Sequence, residues 1–156
     1  MDITIVQATE TDMRNLVEIW KEFMDYHKGI DPFFTRGDQG HVTFANYLAE
    51  LIGNPGSLVL AAMHGAEHVG YTIAKIDRHP PVLLHQAFGH ITDMAVKPAF
   101  RRHGAGEKML EQTFGWFRDK KIKRVELHVV PDNSIGFSFW RKMGFETYMH
   151  AMFKEV

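Results

Sequence analysis

Cysteine is absent from the 156 residues, which excludes a disulfide frame, a thiol nucleophile and any thiolate metal site. No stretch approaches the roughly 20 uninterrupted apolar residues of a membrane span, and the amino terminus has neither the basic segment nor the apolar run of a secretory signal. A cytoplasmic protein with no membrane partner is expected. Excess charge is missing too: 18 Lys and Arg against 19 Asp and Glu leave a formal net charge of -1. Nothing in that balance draws the chain toward nucleic acid or an anionic surface. Repeats, low-complexity tracts and linkers are also lacking, so a single domain over residues 1–156 is expected.

Core material is plentiful: 45% of residues are hydrophobic, with 12 Phe and 9 Met. Ile3, Ile5 and Val6-Gln7-Ala8 read as a first strand, closed by the helix cap Thr9-Glu10-Thr11-Asp12. Leu16, Val17, Trp20, Phe23, Met24 and His27 then recur at helical spacing, with Arg14, Glu18, Lys21 and Glu22 largely opposite, which predicts a helix facing a core. GIDPFFTRGDQG, from Gly29 to Gly40, breaks it and puts Phe33 and Phe34 on a loop, as a cleft wall or as caps over the core. His41 to Ile52 reads as a second helix. Ser57 to Met63 and His68 to Asp77 are strand-like runs joined by His64-Gly65-Ala66-Glu67. Phe88 to Val96 and Arg124 to Val130 read as further strands, Ser134 to Lys142 as a short helix and Phe145 to Phe153 as a last strand. A meander followed by βαβ and αβ units predicts an α/β (α+β) fold.

The chemistry concentrates in ITDMAVKPAFRRHGAGEKML, Ile91 to Leu110, where a strand ends, a basic turn follows and a helical pattern begins. Gly104 and Gly106 let the backbone turn tightly with its N–H groups toward a ligand. The helix that opens there, with Leu110, Thr113, Phe114 and Phe117 on one face, adds the positive end of its dipole, and Arg101 and Arg102 add formal charge. A pyrophosphate suits such a loop. The P-loop pattern fails because Gly106-Glu107-Lys108-Met109 offers no hydroxyl for magnesium, and the dinucleotide fingerprint fails because Met109 stands where the third glycine belongs.

Ala95-Val96-x-Pro98 followed by Arg101-x-x-Gly104-x-Gly106 resembles the acetyl-coenzyme A loop of the GNAT superfamily of N-acetyltransferases. Downstream, Asn133, Gly136, Phe139-Trp140 and Gly144-Phe145 resemble the same family's second motif. The likeness is good over Ser57 to Phe153 and loose before it. It implies a GNAT fold: a central mixed, mostly antiparallel sheet of about six to seven strands flanked by about four helices, with two strands splayed at a cofactor cleft. By the resemblance, Met94, Ala95 and Val96 contact pantetheine through the main chain. Arg101, Arg102, His103, Gly104, Ala105 and Gly106 hold the pyrophosphate, Asn133 binds cofactor amides, and Trp140 packs beside the pantetheine or acetyl end.

The implied reaction passes the acetyl group of acetyl-CoA to a primary amine of a small molecule or peptide, by direct attack in a ternary complex. A neutral amine requires a base, and histidine titrates nearest the working pH. Of the ten histidines, His90 is preferred because it begins the splayed strand, where some relatives carry a catalytic glutamate. Asp93 is the second candidate, on the opposite face by strand alternation. Glu126 and His128 are further candidates acting through water. Trp140 occupies the position where many relatives place a tyrosine as general acid, and an indole N–H is no proton source. Ser138 and Tyr148 are the substitutes. Tyr26, His27, Asp31, Phe33 and Phe34 would suit a small cationic amine. A zinc site from His85 and His90 lacks metal-ligand spacing, so no metal is expected. A homodimer is compatible with the resemblance. The alternative function is an acyl-CoA-binding sensor or partner-binding module with this fold and no transferase activity.

Overall fold

In the computed structural model, which describes residues 1–156, the alternating segments assemble into one five-stranded sheet with helices on both faces. Strands β1 (Thr4–Gln7), β2 (Ser57–His64), β3 (Glu67–Arg78), β4 (Ala87–Val96) and β5 (Val125–Glu126) lie in sequence order. Neighbours are antiparallel from β1 to β4 and parallel between β4 and β5. The change of sense follows from helix α3 (Ala105–Asp119), which carries the chain back across the sheet between those two strands. The sheet is thus mixed and mostly antiparallel, as expected.

Both faces are covered, which is why Ser57–Ala62 and Val69–Ala74 read as apolar runs rather than clean alternations. On one face, α1 (Met13–Ile30) and α2 (Gly40–Leu51) pack Leu16, Ile19, Trp20, Phe44 and Leu48 onto Val59, Tyr71 and Ile73. Trp20 and Phe44 stack with ring centroids 4.6 Å apart, which locks the two helices together. On the other face, α3 lays Leu110 and Phe117 over Leu58, Leu60, Ala74 and Ile91. Helix α4 (Ser134–Lys142) brings Trp140 against the same cluster. Gly89 lets β4 sit down on α3: a Cβ there would stand 2.6 Å from the Phe117 ring.

Five strands form rather than the six to seven expected. β5 pairs with β4 only at Gly89↔Val125 and His90↔Glu126, and the expected strand to Val130 has no ladder beyond Glu126. Phe145 to Phe153 has strand-like composition but no strand beside it; apart from the Phe145 N–H, which donates to the Trp140 carbonyl at 3.0 Å, it is fastened by side chains, Phe145 against Phe114 and Trp140, and Tyr148 through a hydrogen bond to Glu126. Alternation marks a segment able to be a strand, and a partner makes it one.

A second correction concerns β4. Ile73 pairs with Asp93 while Ala74 pairs with Ile91, so Thr92 is one residue too many. Such a bulge reverses the alternation beyond it. His90, opposite Lys75, and Asp93, opposite Ile73, therefore lie on the same face of the sheet, the one covered by α1 and α2. Ile91 and Met94 face α3. The expected separation of His90 and Asp93 does not occur.

Candidate active site

The parting of β4 and β5 opens a fork above His90, and β4 runs on to Val96 without a neighbour on that side. On its other side, the Lys97 N–H donates to the Val69 carbonyl at 2.8 Å. Alternation along the strand then turns the backbone groups of Met94 and Val96 into the fork and those of Ala95 toward β3. The Val96 carbonyl accepts from Arg101 Nε at 3.0 Å. An extended ligand in the fork would find open amides at Met94 and Val96.

Past a 3-10 turn at Pro98–Phe100, Arg102 and Gly104 adopt φ of 66° and 81°. These left-handed residues curl the chain so that successive N–H groups point inward. The amides from Arg102 through Glu107 donate to no protein acceptor, and the first bond closing α3 runs from Lys108 N to Gly104 O at 2.9 Å. Unpaired donors at the positive end of a fifteen-residue helix, beside Arg101 and Arg102, fit a diphosphate. Arg101 is held in place, its guanidinium 5.7 Å from the Tyr26 ring centroid. Gly106 is small for another reason: a Cβ there would lie 3.1 Å from the Phe139 ring of α4.

At the base of the fork, His90 Nδ1 lies 3.3 Å from Asp77 Oδ2, and the His90 ring meets that of His128 edge-on at 5.7 Å. Asp77 is held below the ordinary carboxylate range by the Arg78 backbone N–H, with help from His90 and Lys75. Asp93 goes the other way: burial pushes its carboxyl up, against opposing pulls from the Tyr71 hydroxyl, His90 and His27. Tyr71 is fully buried and donates to Asp93 Oδ1 at 3.5 Å. The two carboxyl groups near His90 thus differ in character, one favouring the anion and one the neutral acid.

The acetyltransferase (GNAT) family model matches residues 14–145. The chain belongs to the GNAT family. It is 32% identical over 96 residues to N-alpha-acetyltransferase daf-31 of Caenorhabditis elegans, a match covering 61% of this chain and 51% of that protein. The chain therefore matches about half the length of that relative. Its fold superposes on a variant of the BH1408 protein of Bacillus halodurans with TM-score 0.88 at 17% identity, covering 98% and 99% of the two chains. It also superposes on aminoglycoside N-acetyltransferase AAC(6')-Iy in complex with a CoA-linked bisubstrate analogue, with TM-score 0.76 at 17% identity over 100% and 99%.

Within this GNAT fold the remaining candidates are already engaged. Asn133 caps α4 by accepting from Gly136 N at 3.0 Å and also accepts from the Tyr26 hydroxyl at 3.1 Å. Its amide nitrogen lies 3.4 Å from His27 Nε2, while His27 Nδ1 lies 2.9 Å from the Phe23 carbonyl. Trp140 packs between Phe139 and Phe145, at centroid distances of 5.0 and 5.3 Å. Glu126 is a hub: burial would raise its pKa, yet bonds from Tyr148 and His79, and then Arg124, hold it below the usual range. The same bond raises the Tyr148 hydroxyl above its ordinary value. Both side chains thus already have hydrogen-bond partners within the protein. Phe33 is 83% exposed and leans edge-on against Phe34, so it does not cap the core. His85 is exposed, and no three His, Asp or Glu side chains converge as a metal site. Sequence reasoning missed Asp77 and His79, whose importance depends on cross-strand register.

Proposed function

We propose that this GNAT protein transfers the acetyl group of acetyl-CoA to a primary amine within a ternary complex, with His90 accepting the amine's proton. One observation carries the reading: unpaired amides from Arg102 through Glu107 stand at the end of a strand whose neighbour has left it. The loop would bind the diphosphate, and the Met94 and Val96 backbone would pair with the pantetheine arm. Acetyl-CoA supplies an activated thioester. The Met94 N–H, turned into the fork, would polarise the thioester carbonyl as a fixed dipole that needs no reorganisation. His90, beside the last β4–β5 pair, lies at the apex from which an amine would approach. Departure of the thiol needs little help from Trp140, because a thiol with pKa about 8.5 is a fair leaving group.

The mouth of the site supports a class of acceptor. Exposed Phe33, with Phe34, His27 and Tyr26 behind it, offers an aromatic wall beside Arg101 and Asn133. Peptide amino termini and small polyamines with a flat or apolar portion suit such a wall. A second reading, a sensor that binds acyl-CoA without turnover, is favoured by Trp140 at the usual acid position and by Tyr148 being tied to Glu126.

Release of CoA measured over a panel of peptide amino termini, aminoglycosides and polyamines, beside calorimetric titration of acetyl-CoA, separates the two. Amine-dependent release supports the transferase. Binding without release against any amine supports the sensor, and no acetyl-CoA binding sinks both.

A further inference from the structure

We propose that Asp77 positions the His90 imidazole, accepting a hydrogen bond from Nδ1–H so that the Nε2 lone pair faces the fork. The inference rests on His90 being the proton acceptor. Asp77 sits on β3 opposite Phe88, one cross-strand step from His90, whose direct partner is Lys75. Diagonal neighbours on one face of an antiparallel pair lie within side-chain reach, and the 3.3 Å contact realises it.

No other group facing His90 can fill the same role. Lys75 is a cation and has no lone pair to offer; it lies 3.6 Å from Asp77 Oδ2 and steadies that carboxylate. Asp93 is driven by burial toward its neutral form, and its Oδ1 receives the Tyr71 hydroxyl. Glu126, in register with His90 across the fork base, has its oxygens occupied by Tyr148, His79 and Arg124. His128 touches the ring edge-on and makes no hydrogen bond to it. Asp77 alone is an ionised acceptor in contact with a ring nitrogen.

The tautomer follows. With Nδ1 protonated and facing Asp77, only Nε2 carries a lone pair. When Nε2 takes the amine's proton, the ring becomes imidazolium, its Nδ1–H stays on the carboxylate, and the proton later leaves to water. The positive charge is then met by Asp77 with no movement of either strand.

Nitrogen-15 NMR of His90 in the whole protein, run beside steady-state kinetics, decides the matter. Wild type is expected to show the Nδ1-protonated neutral ring. Asp77→Ala is expected to give a tautomer mixture and to lower kcat by roughly tenfold or more with the KM for acetyl-CoA unchanged, the scale seen when a histidine loses the outer partner that fixes its tautomer. Asp77→Asn keeps an acceptor oxygen, so it should retain the tautomer and lose only part of the rate; it decides the case if the alanine variant fails to fold. An unchanged His90 spectrum in Asp77→Ala, or an unchanged kcat, overturns the proposal. If wild type turns over no amine, the transferase reading fails, and the spectra still judge the Asp77–His90 contact.

Discussion

His90 and Asp93 are separated in sequence by two residues and stand on one face of the sheet because Thr92 is bulged out. Burial sets the Asp93 carboxyl apart by raising its pKa. His90→Ala is expected to lower kcat by roughly 100- to 10,000-fold, the usual worth of a positioned base, while calorimetry gives an unchanged acetyl-CoA affinity. A similar loss in Asp93→Asn with little in His90→Ala would exchange their roles. Asp93 carries a stability prediction as well. Its folded pKa is raised above the ordinary 3.8, so below that value both states hold the proton and the group is neutral toward folding. As pH rises, the unfolded carboxyl ionises first and stability falls until the folded pKa is passed. Asp93→Asn removes this loss. Its urea midpoint minus that of wild type should be more favourable at pH 7 than at pH 4, and a flat difference would contradict a buried carboxyl biased toward its acid form. The place of His90 on the strand that leads to the loop was legible from the sequence, because it is a matter of spacing. Its shared face with Asp93 was not, since Thr92 looks like any strand residue and a bulge leaves no compositional mark.

Among the elements, β4 and α3 are the pair whose fit decides the site, because together they carry the fork wall and the anion loop. Gly89 is the tightest point between them. Phe117 is 1% exposed and has nowhere to swing, so Gly89→Ala should cost about 1–3 kcal/mol by overpacking, read as a lower unfolding midpoint. Gly29 near the end of α1 is the counterpart, with nothing within 4 Å of an added Cβ. Gly29→Ala should therefore stabilise by ~0.5–1 kcal/mol through helix propensity. Were both variants destabilised alike, the contrast in local space would not be what governs them. The helices were readable because caps, apolar stripes and Gly or Pro breaks are local signals, and the anion loop because Gly104 is demanded by a positive φ. The sheet's far edge was not. Phe145 to Phe153 has the residues of a strand, but whether another strand lies alongside β5 is a property of the whole topology. Trp140 likewise fits the helix motif by spacing, and only packing shows it wedged between Phe139 and Phe145.

For the whole molecule, the decisive consequence is where the backbone is left without partners. Beside the open edges of β4 and of the chain after Glu126, two further stretches lack backbone pairing: the amides of Arg102 through Glu107, and the chain from Glu146 to Val156. They differ in purpose. The first is surrounded by fixed structure, with Ala105 and Met109 buried beneath it and Arg101 pinned to Val96 and Tyr26, so its donors are aimed before any ligand arrives. The second is held chiefly by Tyr148 and the arginine stacked on it. A ligand that uses the loop amides should slow their hydrogen exchange without ordering the tail, and should raise global stability by mass action, about 2.7 kcal/mol at a hundred times its Kd. Exchange followed by mass spectrometry with and without acetyl-CoA should thus show protection at residues 102–107 and along Met94 to Val96, with 146–156 unchanged. Adenosine diphosphate alone should protect the loop and leave the β4 amides exposed, because it has a diphosphate and no pantetheine arm. Protection confined to the tail, or equal protection of β4 by both ligands, would mean that the fork and the loop do not share one elongated molecule.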